Sequence, residues 1–380
     1  MNVPWTVETR PTPSRLLQWT TPLLTVFFAL LVGSLPLLLL GVDPLSAYRV
    51  FFEGAFGSFY RLSEVLVKAT PLLFTGLAVA LPLRAGLWNI GAEGQLHLGA
   101  AAATAVAVSW GQASPAQAPL VLGAMFLAGA AAGGVWGLIP GWLRVKHGLS
   151  EIVTTLMLNY IAIFSMEYLV FGPLKAPGMN RPQSALFPEA GWLPRWEGTR
   201  LHAGLLVVLV VAALIYVLFA RTRLGYEIRV LGANPKAAAA NGVSPLKVTL
   251  WVMALGGLLA AWAGVSEVSG IQRRLRLGFS PGYGYTGIAV ALLGKSHPVG
   301  VVLSALFFAV LAVGGSFMQS QTFVSLFDPA HRVQVPNALV DILQALVIAF
   351  LIGGEFLIRH RVRLRRRSNT ATKYEGAQRG

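Results

Sequence analysis

The chain has 380 residues, of which 55% are hydrophobic and only 12% charged, with a mean hydropathy of +0.64. Soluble domains carry about 25% charged residues, so this composition excludes a soluble globular protein and places the chain in a membrane. The absence of cysteine excludes disulfides and cysteine metal sites, and the six histidines lack the spacing of a catalytic zinc site. A net charge of +15 does not point to nucleic acid, because eight of the 30 Lys and Arg residues follow Ile358 in a tail behind an apolar run. Such a tail anchors topology on anionic membrane lipid.

Residues 1–20 are polar, with Arg10 and Arg15, and no small-residue cleavage site follows the first apolar run. Residues 21–40 are too many for a signal-peptide core and read as a retained first span. The loop 41–64 holds a candidate interfacial helix at 47–56. Spans two, three and four are expected at 65–83, 86–110 and 120–139, and a basic loop with Arg144, Lys146 and His147 follows. Ser150 fits an N-cap and Glu151 a first turn for span five, 152–171. Residues 172–202, with five prolines, Trp192 and Trp196, read as a compact surface loop.

Spans six to ten are expected at 203–220, 248–268, a short 282–293, 299–318 and 337–358. Ten spans put both termini on one side. That side collects 19 of the 30 Lys and Arg residues, so the positive-inside rule assigns it to the cytoplasm. Arg273, Arg274 and Arg276 break the pattern and are candidate contacts for an outside partner. The expected division is a cytoplasmic segment 1–20, a transmembrane domain 21–358 and a basic cytoplasmic tail 359–380. One hexapeptide nearly repeats, at 76–81 and 287–292, but so short an apolar match carries little weight.

The third span concentrates the polar groups. On a helix, Asn89, Glu93 and His97 fall at i, i+4 and i+8 and form one stripe. Gln95 lies among them, and Gly86, Gly91, Gly94 and Gly99 permit close helix approach or a backbone break. An ionisable group at a membrane helix centre costs about 2.5–3.5 kcal/mol, so these residues need a return. They either line a protected substrate path or hydrogen-bond neighbouring helices. Glu151, Thr155 and Asn159 make a second stripe with the same two readings.

Between spans six and seven, Asn234 can cap a very short helix with Pro235 at its first position. Lys236, Ala237, Ala238, Ala239 and Ala240 would form it, and Asn241-Gly242 would stop it. The alanines offer a small, smooth surface suited to another protein's groove, or to an ordinary interfacial helix. Residues 289–296 nearly match a phosphate loop, but alanine replaces the first glycine and no nucleotide-binding strand precedes it. The chain therefore carries no ATP site of its own, and no cofactor is expected.

Four stretches in order now carry a resemblance: Leu83-Arg-Ala-Gly-Leu-Trp-Asn-Ile-Gly-Ala-Glu-Gly-Gln95, Gly148-Leu-Ser-Glu-Ile-Val-Thr-Thr-Leu-Met-Leu-Asn-Tyr160, Gly225-Tyr-Glu-Ile-Arg-Val-Leu-Gly-Ala-Asn-Pro235 and Gly287-Ile-Ala-Val-Ala-Leu-Leu-Gly294. Together they resemble the permease subunits of nucleoside and simple-sugar ABC importers. The resemblance implies an all-α membrane fold of about ten helices, similar to the vitamin B12-type (type II) importers, with a path at a subunit interface. It implies that 234–242 is the coupling helix on a cytoplasmic ATPase. It also implies an extracytoplasmic substrate-binding protein and a second permease subunit, different or identical. Asn89, Glu93, Gln95 and Asn159 would then guide a neutral, hydroxyl-rich solute. The competing expectation is a proton-coupled secondary transporter with Glu93 or Asp341 as carrier. A membrane enzyme lacks a nucleophile and base set, and a passive channel is the remaining class.

Overall fold

The computed structural model describes residues 5–9, 15–328 and 330–364, and these are mostly helical. Arg10 and the basic tail beyond Leu364 lie outside the described residues. In chain order the elements are β1 (Trp5–Thr9), α1 (Arg15–Leu39), α2 (Pro44–Phe56), α3 (Phe59–Arg84), α4 (Ala92–Ser109), α5 (Ala118–His147) and α6 (Glu151–Phe171). There follow α7 (Gly204–Arg221), α8 (Arg223–Ala233), α9 (Pro235–Ala240), α10 (Pro245–Glu267), α11 (Tyr283–Leu293) and α12 (Pro298–Ser320). The chain closes with β2 (Thr322–Val324), β3 (Arg332–Gln334), α13 (Asn337–Arg359) and β4 (His360–Leu364).

Two units divide the chain. One comprises residues up to Pro44 and from Phe323 onward, the other Leu45–Thr322. In the first, α1 packs on α13, and β1 pairs antiparallel with β4 in the register Trp5↔Leu364 to Thr9↔His360. The segments expected as separate tails thus begin a shared ribbon. Asp341 lies just past the first turn of α13 and is exposed.

In the second unit α10 sits against α3, α4 and α5, and α11 lies on α3. Small residues allow this closeness, as membrane helices pack through backbone approach rather than hydrophobic drive. A Cβ on Gly257 of α10 would overlap the Gly133 carbonyl of α5, and one on Gly264 the Leu96 carbonyl of α4. The two near-identical hexapeptides face each other: Gly76 of α3 meets Val290, and Gly287 of α11 meets Thr75.

Several expected boundaries move for local reasons. α3 starts six residues early because Ser58 Oγ accepts from Arg61 N at 3.2 Å. α5 runs through the expected basic loop to His147, since Arg144, Lys146 and His147 suit the negative end of a helix dipole. Gly148, at φ +68, then ends it in the left-handed region.

Seven described helices are long and apolar enough to cross a membrane, or eight if Leu24–Leu39 and Pro44–Phe56 are taken together. The expected third and eighth spans are not among them. α4, at 18 residues, is as long as α7 but opens with the polar Glu93, Gln95 and His97. α11 has 11 residues, about 16 Å of helix against a hydrocarbon core about 30 Å thick. The chain is a multi-pass membrane protein.

Candidate functional site

The expected third span is broken. α3 ends at Arg84, residues 85–91 are non-helical, and α4 starts only at Ala92. Gly86 takes φ +75, open to glycine without strain, and Leu87 N turns back to donate to Pro82 O at 3.0 Å. Asn89 is therefore not on α4, and the three-residue helical stripe through it does not form. Glu93 and His97 remain one turn apart, with His97 Nδ1 2.8 Å from Glu93 O.

The α6 stripe read from the sequence meets this break. Glu151 Oε1 accepts from Trp88 N and Thr155 Oγ1 from Ile90 N, both at 3.3 Å. Asn159 accepts from Gly94 N through Oδ1 and donates to Ile90 O through Nδ2, each at 2.7 Å. An unwound segment in a membrane must have its peptide groups paired inside the protein, and one helix face pairs three of them together with Gly94 N in the first turn of α4. Arg144 closes the arrangement by donating to Glu151. Inside the break, Asn89 and Gln95 exchange amide hydrogen bonds at 3.0 and 3.1 Å, and Asn89 Oδ1 accepts from Gly91 N at 3.2 Å.

A second backbone break adjoins the first. Past α10, a π-helical turn (Val268–Gln272) and irregular chain to Gly282 lead to the start of α11. There Glu93 Oε2 accepts from Gly284 N at 2.6 Å, placing a carboxylate at the positive end of a half-length helix. A Cβ at position 284 would overlap the Glu93 backbone. Ser280 Oγ takes the preceding amides of Gly282 and Tyr283 at 3.3 Å. Asn89, Glu93, Gln95 and Asn159 are 0–2% exposed, so all four sit inside the fold. Exposed Tyr160 and Tyr285 border Asn159.

The sequence reading passed over Lys68. It lies inside α3, half-buried, with Nζ 2.9 Å from Tyr283 Oη. Glu267, buried at the end of α10, accepts from Gln272 Nε2 at 3.0 Å and takes its strongest counter-charge from Lys68. The available signal was the lysine itself, since ionisable residues within spans are rare and functional.

The surface loop 172–203 is bonded along the second break. Ser184 N donates to Leu275 O at 2.8 Å, Phe187 N to Arg273 O at 2.9 Å and Leu193 N to Ser269 O at 3.2 Å. Arg195 donates to the Gly270 carbonyl that the π turn leaves over. Burial, then repulsion from Arg273 and Arg200, lowers the Arg195 pKa. His202 is buried against Gly270, accepts from Gly204 N through Nδ1 at 3.2 Å, and is lowered to about 4 by burial and then by Arg195 and Arg200. Arg273 stacks on Trp192 with its guanidinium 3.9 Å from the ring centre. Of the arginine cluster it is thus turned to an internal partner, while Arg274 is half-buried and Arg276 exposed.

The short helix α9 forms as its residues dictate. Asn234 Oδ1 accepts from Lys236 N at 3.0 Å and Ala237 N at 3.2 Å, Pro235 is first, and Gly242 at φ +75 follows the end. Lys236, Ala237, Ala239 and Ala240 are exposed. Ala238 is not part of that surface, because it is wholly buried against the rest of the chain.

Known proteins resemble this chain along most of its length. The chain is 46% identical to the glucose ABC transporter permease protein of Haloferax volcanii over 98% of its length and 97% of that protein's. It is 33% identical to the guanosine ABC transporter permease protein of Bacillus subtilis, covering 91% and 96% of the two chains. With the nucleoside ABC transporter permease protein of Lactococcus lactis subsp. cremoris it shares 30% identity over 89% and 91%. Residues 61–352 match the family described as branched-chain amino acid transport system / permease component, and both backbone breaks, α6 and α9 fall inside that match. The chain belongs to this family and is a membrane permease subunit of an ABC importer, driven by ATP hydrolysis in a separate subunit.

Proposed function

We propose that this permease carries a neutral, hydroxyl-rich solute, a simple sugar or a nucleoside, toward the cytoplasm. The observation that carries the reading is how Glu93 and Asn159 are used. Both spend their hydrogen bonds on backbone that starts α11 and α4, so the path wall carries oriented peptide groups and hydroxyls rather than a bare charge. Asn89, Glu93, Gln95 and Asn159 act on the path by fixing its unwound wall, and Tyr160 and Tyr285 beside them offer the faces a solute touches. The names of the relatives, for glucose, guanosine and nucleosides, agree with a neutral cargo.

In this reading α4 and α11 complete ten membrane segments of a type II-like fold, and both termini are cytoplasmic. The path runs where a second permease subunit, identical or different, meets this one. α9 is the coupling helix, with Lys236, Ala237, Ala239 and Ala240 against the ATPase and Asn234, Pro235, Ala238 and Gly242 holding its shape. Arg274 and Arg276 face the substrate-binding protein, and Arg273 secures the loop beneath it.

The test is uptake of radiolabelled glucose and nucleosides by the permease reconstituted with its ATPase and binding protein. Ala239→Arg, which leaves the buried Ala238 alone, should abolish ATP-driven uptake while the complex still folds. Uptake by the permease without its ATPase, driven by a proton gradient, would overturn the reading and make Glu93 a proton carrier.

A further inference from the structure

An open groove of about 730 Å³ runs between α7 and α12, apart from both backbone breaks. Its walls are apolar, with Leu209, Ala212 and Ala213 from α7 and Val299 and Val302 from α12. One end is different. There the α11–α12 turn brings Lys295 and His297, both exposed, beside Tyr216, whose ring meets the His297 ring edge-on at 5.8 Å. The turn is firmly held. Lys295 and Ser296 take φ of +53 and +52, the left-handed region that strains a residue with a Cβ. Ser296 N donates to Ala291 O at 2.9 Å, and Ser296 O accepts from Arg84 at 3.3 Å.

We propose that this groove holds an acyl chain of an anionic phospholipid, with the lipid phosphate at Lys295 and His297. Both wall helices are apolar enough to span a membrane, so the groove between them lies at hydrocarbon depth, and its volume suits a small ligand. An acyl chain matches the walls but says nothing about the headgroup. The basic end does: the Lys295 ammonium attracts a headgroup of net negative charge and repels the choline of a zwitterionic lipid, and the His297 imidazole N–H is a donor for the phosphate. Tyr216 has the amphipathic ring found at the membrane–water boundary. A transmembrane helix of a partner could fill the walls, but would need an acidic group at this end.

The consequence reaches α8. Arg84, which holds the turn, also stacks on Phe219 at 5.2 Å, and Gly232 of α8 lies against the Arg84 carbonyl. A bound headgroup thus reaches the segment that carries α9 through two links, the turn and Arg84.

The complete transporter, permease with ATPase and binding protein, is purified from nanodiscs of phosphatidylcholine containing a minor fraction of phosphatidylglycerol. Retained lipids are identified by native mass spectrometry. The wild-type complex should retain phosphatidylglycerol over phosphatidylcholine, with the preference falling about fivefold in Lys295→Gln and by less in His297→Gln, which removes a hydrogen-bond donor. Ala213→Trp, at an exposed wall position, should displace the lipid without disturbing the fold. Equal retention of the two lipids, or a preference unchanged in the variants, would overturn the proposal. So would a photo-crosslinker at position 213 that captures a protein chain instead of lipid.

Discussion

α9 and α11 are both short helices, and they begin in opposite ways. α9 starts on its own neighbours, with Asn234 accepting from the two amides that follow Pro235. α11 has Ser280 beside it for the amides of Gly282 and Tyr283, but its shortest bond, from Gly284 N, goes to Glu93, 191 residues earlier in the chain, and α4 likewise uses Asn159, 65 residues later. A local cap forms its helix wherever the segment is carried. A remote cap forms it only while two distant parts of the fold remain packed. The first suits a rigid peg pressed against another protein; the second makes the start of a helix depend on the arrangement of the bundle.

The sharpest way to break this contrast is Asn159→Leu. It strands Gly94 N and Ile90 O inside the protein at about 2 kcal/mol each, so the melting temperature in nanodiscs should fall by the equivalent of about 4 kcal/mol. Asn159→Asp, which can still accept from Gly94 N, should recover part of it. Next comes acid. His202 is neutral when folded, with its pKa lowered to about 4, whereas an unfolded histidine titrates near 6.5. Between those values the unfolded chain binds the extra proton. Stability is therefore full above about pH 6.5, and about 3 kcal/mol is lost as the pH falls to about 4. Melts across that range should show the loss, and His202→Gln should flatten it.

Glu93→Ala removes one charge-assisted bond and should cost about 2 kcal/mol. Protection of the Gly284 amide against hydrogen exchange should fall with it. Asn234→Ala should cost the least, about 1 kcal/mol, with exchange rising only in α9. Equal losses of protection in α9 and α11 for the two changes would erase the distinction between local and remote starts.

The same contrast governs what the sequence disclosed. α9 was legible to the residue because its cap, its proline and its stopping glycine are contiguous. The α6 stripe was legible as a stripe, since Glu151, Thr155 and Asn159 obey helical spacing. Its partners were not, because backbone amides carry no residue identity to search for. The break at 85–91 was offered by Gly86 and Gly91 as one of two readings but could not be placed: Asn89 continues the spacing of Glu93 and His97, and the remote pairing that sustains a non-helical course carries no residue signature. Arg273 read as an outward charge because its stacking partner, Trp192, lies in a different loop. Lys68 went unremarked because a single lysine in an apolar run resembles a span boundary. The hexapeptide match that seemed too short to matter sits at the α3–α11 contact, where small residues at matching positions let two helices touch.

The shortness of α11 has a mechanical consequence. A full-length membrane helix can open a passage only by tilting whole or by melting a turn, and melting exposes peptide groups where nothing can solvate them. Here the chain from Arg273 to Pro281 is already unwound, with the loop 172–202 bonded along it. Displacing that strap would need no helix to be broken, only the exchange of a few hydrogen bonds at its two ends. Those ends are marked by Arg195, which donates to Gly270 on the π turn, and by Glu93, which accepts from Gly284 at the start of α11.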